Sequence, residues 1–520
     1  MTFIRYKKFG NQEYAYRVTT YWDKERKKIR QKQEYLGKVI DKENQVFVKP
    51  REEKIKPRVA LDFGDIILTH TVFCDLNLDE ILRDIYSESC AEIIKILTIS
   101  RVLAPQSMRS IRRWYRKTYL TQLCSIDESK LSSQNISRTL ANIGDDEHSL
   151  SIFFSKWINQ SCEKTLDLIY DITSFSTHAR LSIAEFGYNR DNDNLPQINL
   201  GLVVSRDGQI PLFYKIFPGS IVDVKTIRNL IKDLKSLGRE HFLLILDRGF
   251  YSKMNIWEMY SSGLDFIIGM PFTTNLSQKI ISDTNKFIDN AENAVEYGEH
   301  LLYVHNGRIR IGDADVYYTL YYDKEMASRE IKKFFKKLFS IENRLSGKRI
   351  PSWCSVHELV DDIAGNYKKY FEYKVNHGKI VLKRKPKAIA RVCNRKGKTI
   401  LLSSKDIPWQ DKLLYYKSRN EVEYAFKSIK HDLEGIPLKA QKEDTVKGYL
   451  FVVFLALVVN LVLRKFLIDS ELANRYSLKD VLMELNGIKK VILMNGTEYL
   501  TEISKTQRDI LNILGLKLSA

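Results

Sequence analysis

Residues 166–171 read Leu-Asp-Leu-Ile-Tyr-Asp, and residues 242–247 read Phe-Leu-Leu-Ile-Leu-Asp. Each stretch is an apolar run that stops at a carboxylate, so the sequence predicts two buried strands that end at Asp171 and Asp247. The chain around them predicts further strands at 198–204, 211–217 and 266–268, and helices from Asp223 to about Leu237 and over 252–262. This β-β-β-α-β-α-β order is typical of an α/β sheet with carboxylates at strand ends.

Two carboxylates at strand ends predict a particular chemistry. Clustered carboxylates repel each other, so they either take up protons or bind a divalent cation. An all-oxygen site suits Mg²⁺ or Mn²⁺. Two such ions about 4 Å apart can activate a nucleophile and stabilise a leaving oxygen at phosphorus. The alternative is that an Asp after a strand only starts a turn, and for Asp171 or Asp247 alone that alternative is favoured.

A third carboxylate is expected on a helix predicted from about Trp409 to Asp432. Four side chains in it have the spacing i, i+3, i+7 and i+14, which places them on one helical face: Tyr416, Arg419, Glu423 and Lys430. An acid between Arg and Lys suits a metal-bound carboxylate beside phosphates. Glu421 and Glu434 compete with Glu423 by composition but lie off this face. A solvated charged face is the alternative.

The charge of the chain is concentrated in two blocks. The 520 residues carry 83 Lys and Arg against 64 Asp and Glu, a formal net charge of +19. Residues 1–60 hold 17 basic and 8 acidic side chains, and residues 331–400 hold 19 and 5. Two basic blocks on a near-neutral body predict a polyanionic partner, with nucleic acid favoured over a generally Lys-rich surface. The length predicts two to four structural units.

The N-terminal third predicts a β unit followed by helices. Residues 14–22 are rich in β-formers, residues 23–26 form a charged turn, and a second run ends at Gly37. Residues 60–165 have helical spacing. They contain a basic cluster around Trp114 that is a candidate for DNA recognition or a solvated face: Arg109, Arg112, Arg113, Arg116 and Lys117.

The second half adds an insertion and a core helix. Residues 273–387 mix β runs with basic helical stretches and are interpreted as an insertion domain, after which 388–392 and 399–402 are expected to form a hairpin. The apolar run 449–463 would span roughly 22 Å, against about 30 Å for a bilayer core, so a buried helix is expected and no membrane partner.

Other features narrow the class of protein. The six cysteines form no CxxC pair, which fits a reducing compartment. The first residues lack the apolar segment of a signal peptide. No P-loop and no Gly-x-Ser-x-Gly elbow is present, so NTP hydrolysis and a serine-hydrolase triad are not expected.

Five ordered motifs resemble those of IS4-type DDE transposases. The signature Tyr-x2-Arg-x3-Glu-x6-Lys is matched at every position by the helical face defined above. The remaining motifs are the following: Tyr170–Ser174 as the first-Asp motif; Gly187–Asp191 with Gln197 and Gly201-Leu202 after it; Pro218-Gly219-Ser220 with Asp223, where Asn is commoner than Ser; and Leu246–Ser252 as the second-Asp motif. The hairpin ending at Leu36-Gly37-Lys38 is similar to that of the IS1634-like branch. The resemblance covers about residues 1–465.

The resemblance implies an α/β fold: an RNase H-like catalytic core interrupted by a β-rich insertion domain, with an N-terminal β-hairpin and a helical DNA-binding region. It implies that Asp171, Asp247 and Glu423 form a catalytic triad that binds two Mg²⁺ (or Mn²⁺) ions. The insertion accounts for the long separation of Asp247 and Glu423. Candidate DNA contacts are Tyr416, Arg419, Lys430, Arg190, Arg248, Arg112 and Arg113.

The expected function is a DNA transposase that cleaves strands at element ends and transfers them into target DNA. Its expected partners are double-stranded DNA with terminal inverted repeats and a second copy of the chain, in the cytoplasm of a bacterium or archaeon, at the nucleoid. Two alternatives stay open: an RNase H-like nuclease that does not join strands, and a catalytically silent, transposase-derived DNA-binding protein. The expected domains are 1–58, 59–164, 165–272, 273–387, 388–470 and 471–520.

Overall fold

The protein is described from a computed structural model. The structure describes residues 2–10, 12–23, 26–49, 57–161, 166–187, 194–239, 241–349, 355–435, 438 and 440–518. It is a mixed α/β protein that divides into two compact units. The smaller unit consists of residues 1–60 and 490–501, and the larger unit consists of residues 61–489 and 502–519.

The smaller unit contains a four-stranded antiparallel meander. Its strands are β1 (Thr2–Phe9), β2 (Gln12–Asp23), β3 (Lys28–Asp41) and β4 (Val46–Val48). The predicted hairpin is confirmed as β2 and β3, and a strand on each side extends it. A bulge between Ala15 and Tyr16 shifts the register of this pair, so one extra residue of β3 is accommodated before Gly37.

The region predicted to be helical begins the larger unit. After β5 (Pro57–Asp62), its helices are α1 (Gly64–Asp75), α2 (Leu78–Ile85), α3 (Glu88–Leu103), α4 (Ile111–Tyr115), α5 (Leu120–Leu123), α6 (Ser133–Asp145) and α7 (Glu147–Ser161). Apolar side chains of α1, α3, α4 and α6 form one hydrophobic core. Helix α6 begins at Ser132, whose hydroxyl accepts the amide of Asn135 as an N-cap.

The predicted α/β order is observed. Its elements are β6 (Leu166–Ser176), β7 (Gln197–Ser205), β8 (Pro211–Pro218), α8 (Ile227–Ser236), β9 (Phe242–Leu246), α9 (Lys253–Ser261) and β10 (Asp265–Gly269). In space the strands run in the order β8-β7-β6-β9-β10. Strands β6, β9 and β10 are parallel and buried on both faces, which explains their continuous apolar sequences.

The segment predicted as a β-rich insertion divides between two places. Its elements are α10 (Asn275–Thr284), β11 (Ala294–Tyr297), β12 (His300–Ile311), β13 (Ala314–Tyr322), α11 (Lys324–Leu345), α12 (Val356–Ala364), β14 (Phe371–Asn376), β15 (Lys379–Arg384) and α13 (Pro386–Cys393). Strands β11 to β13 join the central sheet. The elements from α11 to α13 enclose a hydrophobic core of their own, which is mostly helical.

The predicted hairpin of 388–392 with 399–402 is wrong. Residues 388–392 lie in α13, which Pro386 opens in its first turn and which packs Ile389 into the core of this segment. Residues 399–402 lie in β16 (Lys398–Ser403), which pairs with β10 and β13. Within the described residues, the central sheet therefore has nine strands in the order β11-β12-β13-β16-β10-β9-β6-β7-β8.

The remaining elements end the chain. They are α14 (Trp409–Lys417), α15 (Asn420–Lys427), α16 (Glu443–Asp469), α17 (Leu478–Asn486), β17 (Lys489–Leu493), β18 (Glu498–Leu500) and α18 (Lys505–Ile513). Helix α16 contains the apolar run 449–463 and is the one helix of the described chain that is long and apolar enough to cross a membrane. Most of its apolar window, 78%, is buried inside the protein, as the sequence predicted for a core helix.

Candidate active site

Asp171 and Asp247 occupy equivalent positions on neighbouring strands. The last paired residues of the parallel strands β6 and β9 are Tyr170 and Leu246, and each Asp is the next residue along its strand. Residues at equivalent positions of parallel neighbours point to the same face of a sheet. The register therefore places the two Asp residues side by side on neighbouring strands, where their side chains are expected on the same face.

The prediction that Asp171 ends its strand is wrong. Strand β6 continues to Ser176, because residues 172–176 pair with β7, from Ile172 with Gly201 to Ser176 with Gln197. Asp171 lies at the point where the other neighbour, β9, ends. Asp247 does end its strand, since a short 3-10 turn (Arg248–Phe250) follows it directly.

Two side chains of the predicted signature, Tyr416 and Arg419, contact Asp247. The hydroxyl of Tyr416 donates to Oδ1 of Asp247 at 3.1 Å, and Nη1 of Arg419 lies 2.5 Å from the same oxygen. Arg419 also packs over the Tyr416 ring, 4.1 Å from its centroid, and its Nε donates to the Tyr416 carbonyl at 3.2 Å. Burial, with a smaller contribution from Asp247, raises the pKa of Tyr416 to about 12, so this hydroxyl keeps its proton at neutral pH.

A glycine that the sequence analysis missed makes these contacts possible. Gly269 is one residue beyond the last pair of β10 with β9, opposite Asp247. A Cβ on Gly269 would lie 2.4 Å from the Tyr416 hydroxyl and 3.2 Å from Cβ of Arg248. The signal in the sequence is a glycine directly after the apolar run 266–268, because a strand residue without a side chain allows a close approach.

The single helix predicted from 409 to 432 is wrong. Helix α14 ends at Lys417, α15 begins at Asn420, and Ser428–Asp432 form a π-helical turn. The hydroxyl of Ser418 donates to the Tyr415 carbonyl at 2.6 Å, and this bond competes with the backbone ladder where the helix is interrupted. The four signature residues therefore do not share one uninterrupted helical face.

The interrupted helix still crosses the strands that carry the two acids. Helix α14 contacts β9 and β10, and α15 contacts β6 and β7. Glu423 lies on α15 with an exposed side chain, and Lys430 lies in the π-helical turn, half-buried. Within the described ranges, no three His, Cys, Asp or Glu side chains form a group that could hold a metal ion. Among the described residues, Asp171 and Asp247 thus lie on neighbouring strands, and they form no such group of three with Glu423.

The remaining predicted DNA contacts belong to separate segments of the chain. Arg248 is exposed beside Asp247. Arg112 and Arg113 are exposed on α4, and Arg112 lies 3.7 Å from the carboxylate of Glu128. Arg190 lies outside the residues that the structure describes.

The motif Pro218-Gly219-Ser220 lies at the end of β8 and in the loop after it, where the contacts of its glycine are structural. The side-chain amides of Gln197 and Asn199 each donate to the carbonyl of Gly219 at 3.2 Å. A Cβ on Gly219 would lie 2.0 Å from the Gln197 carbonyl, so only glycine fits there. The loop then brings Oδ2 of Asp223 within 3.4 Å of a Cβ built on Gly249, in the turn that follows Asp247. Asp223 is the first residue of a separate 3-10 turn, Asp223–Thr226, and does not cap α8 as predicted, because α8 begins only after Thr226.

The donor atoms at this site suit a hard divalent cation. Asp171 and Asp247 offer carboxylate oxygens, and oxygen ligands without thiols or imidazoles favour Mg²⁺ or Mn²⁺. One oxygen of Asp247 contacts the Arg419 guanidinium, which carries the positive charge that a cation would supply. The two carboxylates are thus of the ligand type that a hard divalent cation takes.

Comparisons with known proteins identify the family. The family model for the transposase DDE domain matches residues 163–459, which is more than half of the chain. The chain is also similar to the piggyBac transposase in a cryo-EM structure of its synaptic complex with hairpin DNA, with 11% identity, a TM-score of 0.37 and coverage of 77% of this chain and 70% of that chain. No curated protein matches the sequence. The chain belongs to the transposase DDE domain family.

Proposed function

We propose that this transposase cleaves DNA strands at the ends of a mobile element and transfers the freed 3′ ends into target DNA. The observation that carries the proposal is the position of Asp171 and Asp247, each directly after the last paired residue of the adjacent parallel strands β6 and β9, with the Arg419 guanidinium on Asp247. Carboxylates beside a basic fork match the needs of phosphoryl transfer on a polyanion. We propose that residues 165–272 and 388–470 together form an RNase H-like core around the segment 273–387.

In this proposal Asp171, Asp247 and Glu423 hold two divalent cations. The bound cations would lower the pKa of the attacking hydroxyl or water and stabilise charge on the leaving oxygen. Asp171 and Asp247 are fixed by the pairing of β6 and β9. Glu423 is carried by a helix that packs on β6, and in this proposal its exposed side chain joins the pair when the cations bind.

Arg419 and Tyr416 would have two roles in succession. Without DNA, Arg419 neutralises Asp247 and Tyr416 donates to the same oxygen. When DNA is bound, the planar guanidinium can turn to hold a phosphate by two hydrogen bonds. Lys430 and Arg248 would add positive charge near the scissile phosphate. Arg190 has the same proposed role on the strength of the family motif alone.

The basic segments would bind the DNA backbone. Helix α11 exposes a run of four lysines at 332, 333, 336 and 337, and α4 exposes Arg112 and Arg113. Such contacts raise affinity for any duplex and make it strongly salt-dependent.

We further propose that the chain acts as a homodimer on paired terminal inverted repeats, at the nucleoid in the cytoplasm of a bacterium or archaeon. We also propose that it belongs to the IS1634-like branch of the IS4-type enzymes.

Cleavage of a labelled element-end duplex tests the triad. With Mg²⁺ or Mn²⁺, Asp171→Asn, Asp247→Asn and Glu423→Gln should each lower the rate of strand cleavage by at least about 100-fold. Glu421→Gln is the matched control, because Glu421 lies on the same helix but faces Arg464 at 3.6 Å. The control should cleave like the wild type. If all four variants cleaved the duplex at the same rate, the assignment of the catalytic triad would be rejected.

Strand transfer separates the proposal from its alternatives. A duplex with a pre-cut 3′ end should give joined product in the presence of plasmid target. Cleavage without any joined product would indicate an RNase H-like nuclease. Binding that does not depend on metal, with no cleavage of any end sequence, would indicate a silent DNA-binding descendant.

A further inference from the structure

The meander of the smaller unit sorts its side chains by chemistry. Residues directly opposite each other on neighbouring strands share a face, and side chains alternate along each strand. The register puts Arg5 opposite Tyr16, Lys7 opposite Tyr14, and Tyr16 opposite Tyr35. We call this side of the sheet the aromatic–basic face: Phe3, Arg5, Lys7, Phe9, Tyr14, Tyr16, Trp22, Tyr35 and Lys38.

The carboxylates of these strands lie on the opposite side. Glu13 is opposite Lys8, and Glu34 is opposite Arg17. Asp23 lies two residues after Tyr21, which is opposite Arg30, so Asp23 and Arg30 share this side of the sheet. Each of the three acids is held in an ion pair, with Lys42, Arg17 and Arg30 respectively. Asp41, at the end of β3, accepts the amides of the following turn. Along β1 to β3 the aromatic–basic face therefore carries cations without a compensating acid.

The rings of this face form a continuous platform. The centroids of Phe9 and Tyr14 are 6.0 Å apart, those of Tyr14 and Tyr35 are 6.3 Å apart, and those of Tyr35 and Tyr16 are 5.3 Å apart. The ammonium of Lys7 lies over the Tyr16 ring, 4.9 Å from its centroid. Phe9, at one end of this run of rings, is 60% exposed. Trp22 lies further along β2, separated from Tyr16 by Val18 and Thr20 on the same face, and is 58% exposed.

From this arrangement we infer that the aromatic–basic face binds single-stranded DNA, with unpaired bases stacked on its rings and phosphates near Arg5, Lys7 and Lys38. Stacking on aromatic rings beside a positive groove is how proteins hold unpaired strands without reading their sequence. A duplex keeps its base faces inside its own stack, so it can use the cations but not the rings. The choice of DNA over RNA rests on the transposase family, and the inference otherwise does not depend on the carboxylate triad.

Fluorescence anisotropy of the full chain tests this inference with two probes, a 20-residue oligo(dT) and a 20-base-pair duplex, in buffer without divalent metal. The variant Tyr16→Val/Tyr35→Val keeps β-forming residues in the strands but removes two stacked rings. Its Kd for oligo(dT) should rise about tenfold or more, since each stacked base contributes a comparable factor. Its Kd for the duplex should change less than twofold.

The matched control removes a ring pair from the other face. Tyr6 and Phe47 have centroids 6.2 Å apart and lie on the side of the acids. Tyr6→Val/Phe47→Val should leave both Kd values within twofold of the wild type. The inference is overturned if the Tyr16/Tyr35 variant binds oligo(dT) like the wild type, if it loses duplex and oligo(dT) binding together, or if the control loses oligo(dT) binding equally.

A second variant covers the possibility that the Tyr16/Tyr35 variant does not fold, as judged by circular dichroism. Phe9→Ser removes a mostly exposed ring with little effect on packing, and it should weaken oligo(dT) binding three- to tenfold. An unchanged Kd would again overturn the inference. Because the assay contains no metal and measures no cleavage, failure of the catalytic proposal would leave its outcome unaffected.

Discussion

The guanidinium of Arg419 and the carboxylate of Asp247 are in direct contact, with Nη1 2.5 Å from Oδ1. The side chain of Arg419 is only 18% exposed and that of Asp247 is 37% exposed, so the pair is partly withdrawn from water. A cation that binds Asp247 must compete with this arginine for the same oxygen. Under the proposed function, the pair would therefore link cation binding at Asp247 to the position of Arg419, a proposed DNA contact.

Arg419→Gln should increase the affinity for Mn²⁺ without DNA, because it removes the competing charge. A charge-assisted hydrogen bond contributes about 1.5–3 kcal/mol, less when partly exposed, so we expect a three- to tenfold lower Kd. Isothermal titration calorimetry measures this. Arg248→Gln is the control for loss of a nearby charge, and similar Mn²⁺ affinities in the wild type and Arg419→Gln would contradict the competition.

Gly269→Ala should destabilise the site through Tyr416. The new Cβ would lie 2.4 Å from the Tyr416 hydroxyl, and such overpacking costs about 1–3 kcal/mol in the free energy of unfolding. In a Tyr416→Phe background the cost should be clearly smaller, because the nearest atom has gone. Urea unfolding of the wild type, the two single variants and the double variant gives the coupling energy, and an equal cost in both backgrounds would show that the Tyr416 hydroxyl is not the obstacle.

Ser428 and Asn460 should be energetically coupled. The hydroxyl of Ser428, in the π-helical turn, donates to Oδ1 of Asn460 at 2.9 Å and lies equally close to Oδ2 of Asp432. Asn460 is a buried polar residue of the apolar helix α16, so the bond anchors the segment that carries Lys430. A double-mutant cycle of Ser428→Ala and Asn460→Leu should give a coupling of about 0.5–1.5 kcal/mol. Additive effects would argue against the anchor.

Lys412 should make stability depend on pH. Burial lowers the pKa of Lys412 to about 8 from its ordinary value of 10.5, while its ammonium nitrogen lies 2.8 Å from the Thr319 hydroxyl. Between these values the unfolded chain binds a proton that the folded chain does not. The contribution of Lys412 to stability therefore rises with pH, by at most about 1.4 kcal/mol per pH unit.

Comparison with Lys412→Met isolates this contribution. The free energy of unfolding of the wild type, relative to the variant, should increase from pH 8 to pH 10 in urea titrations. Lys417→Met, at an exposed position on the same helix, is the control for the loss of a lysine from α14. A difference between wild type and Lys412→Met that stays constant with pH would mean that the folded protein keeps Lys412 charged.

The exposed lysines of α11 should set part of the salt dependence of duplex binding. Changing Lys332, Lys333, Lys336 and Lys337 to Gln should reduce the slope of log K against log salt by about 2 to 4. Two lysines of α8, Lys232 and Lys235, provide a control outside the two basic blocks. Their replacement by Gln should leave the slope nearly unchanged. A slope equally affected in both variants would show a general charge effect instead of a binding surface.

Local patterns determined most of the element order. The apolar runs ending in Asp171 and Asp247 predicted two buried strands, since continuous apolar residues are what a doubly covered parallel strand requires. The hairpin of β2 and β3 and the core helix α16 also followed from sequence. The sequence could not show where β6 ends, because Asp171 is tolerated inside the strand once β7 pairs beyond it.

Tertiary structure decided how the site is assembled. A spacing of 3, 7 and 14 residues implies one helical face only if the helix is regular, and the Ser418 hydroxyl and the π-helical turn interrupt it. The choice of Arg419 and Tyr416 as partners of Asp247 depends on the space that Gly269 leaves, which is a contact between residues 147 positions apart in the chain. The sequence by itself determined which side chains are available and the local periodicity that forms strands and helices. Only the packing of distant segments decided which of those side chains meet, because contact between them depends on strand register and on the exact volume at each crossing.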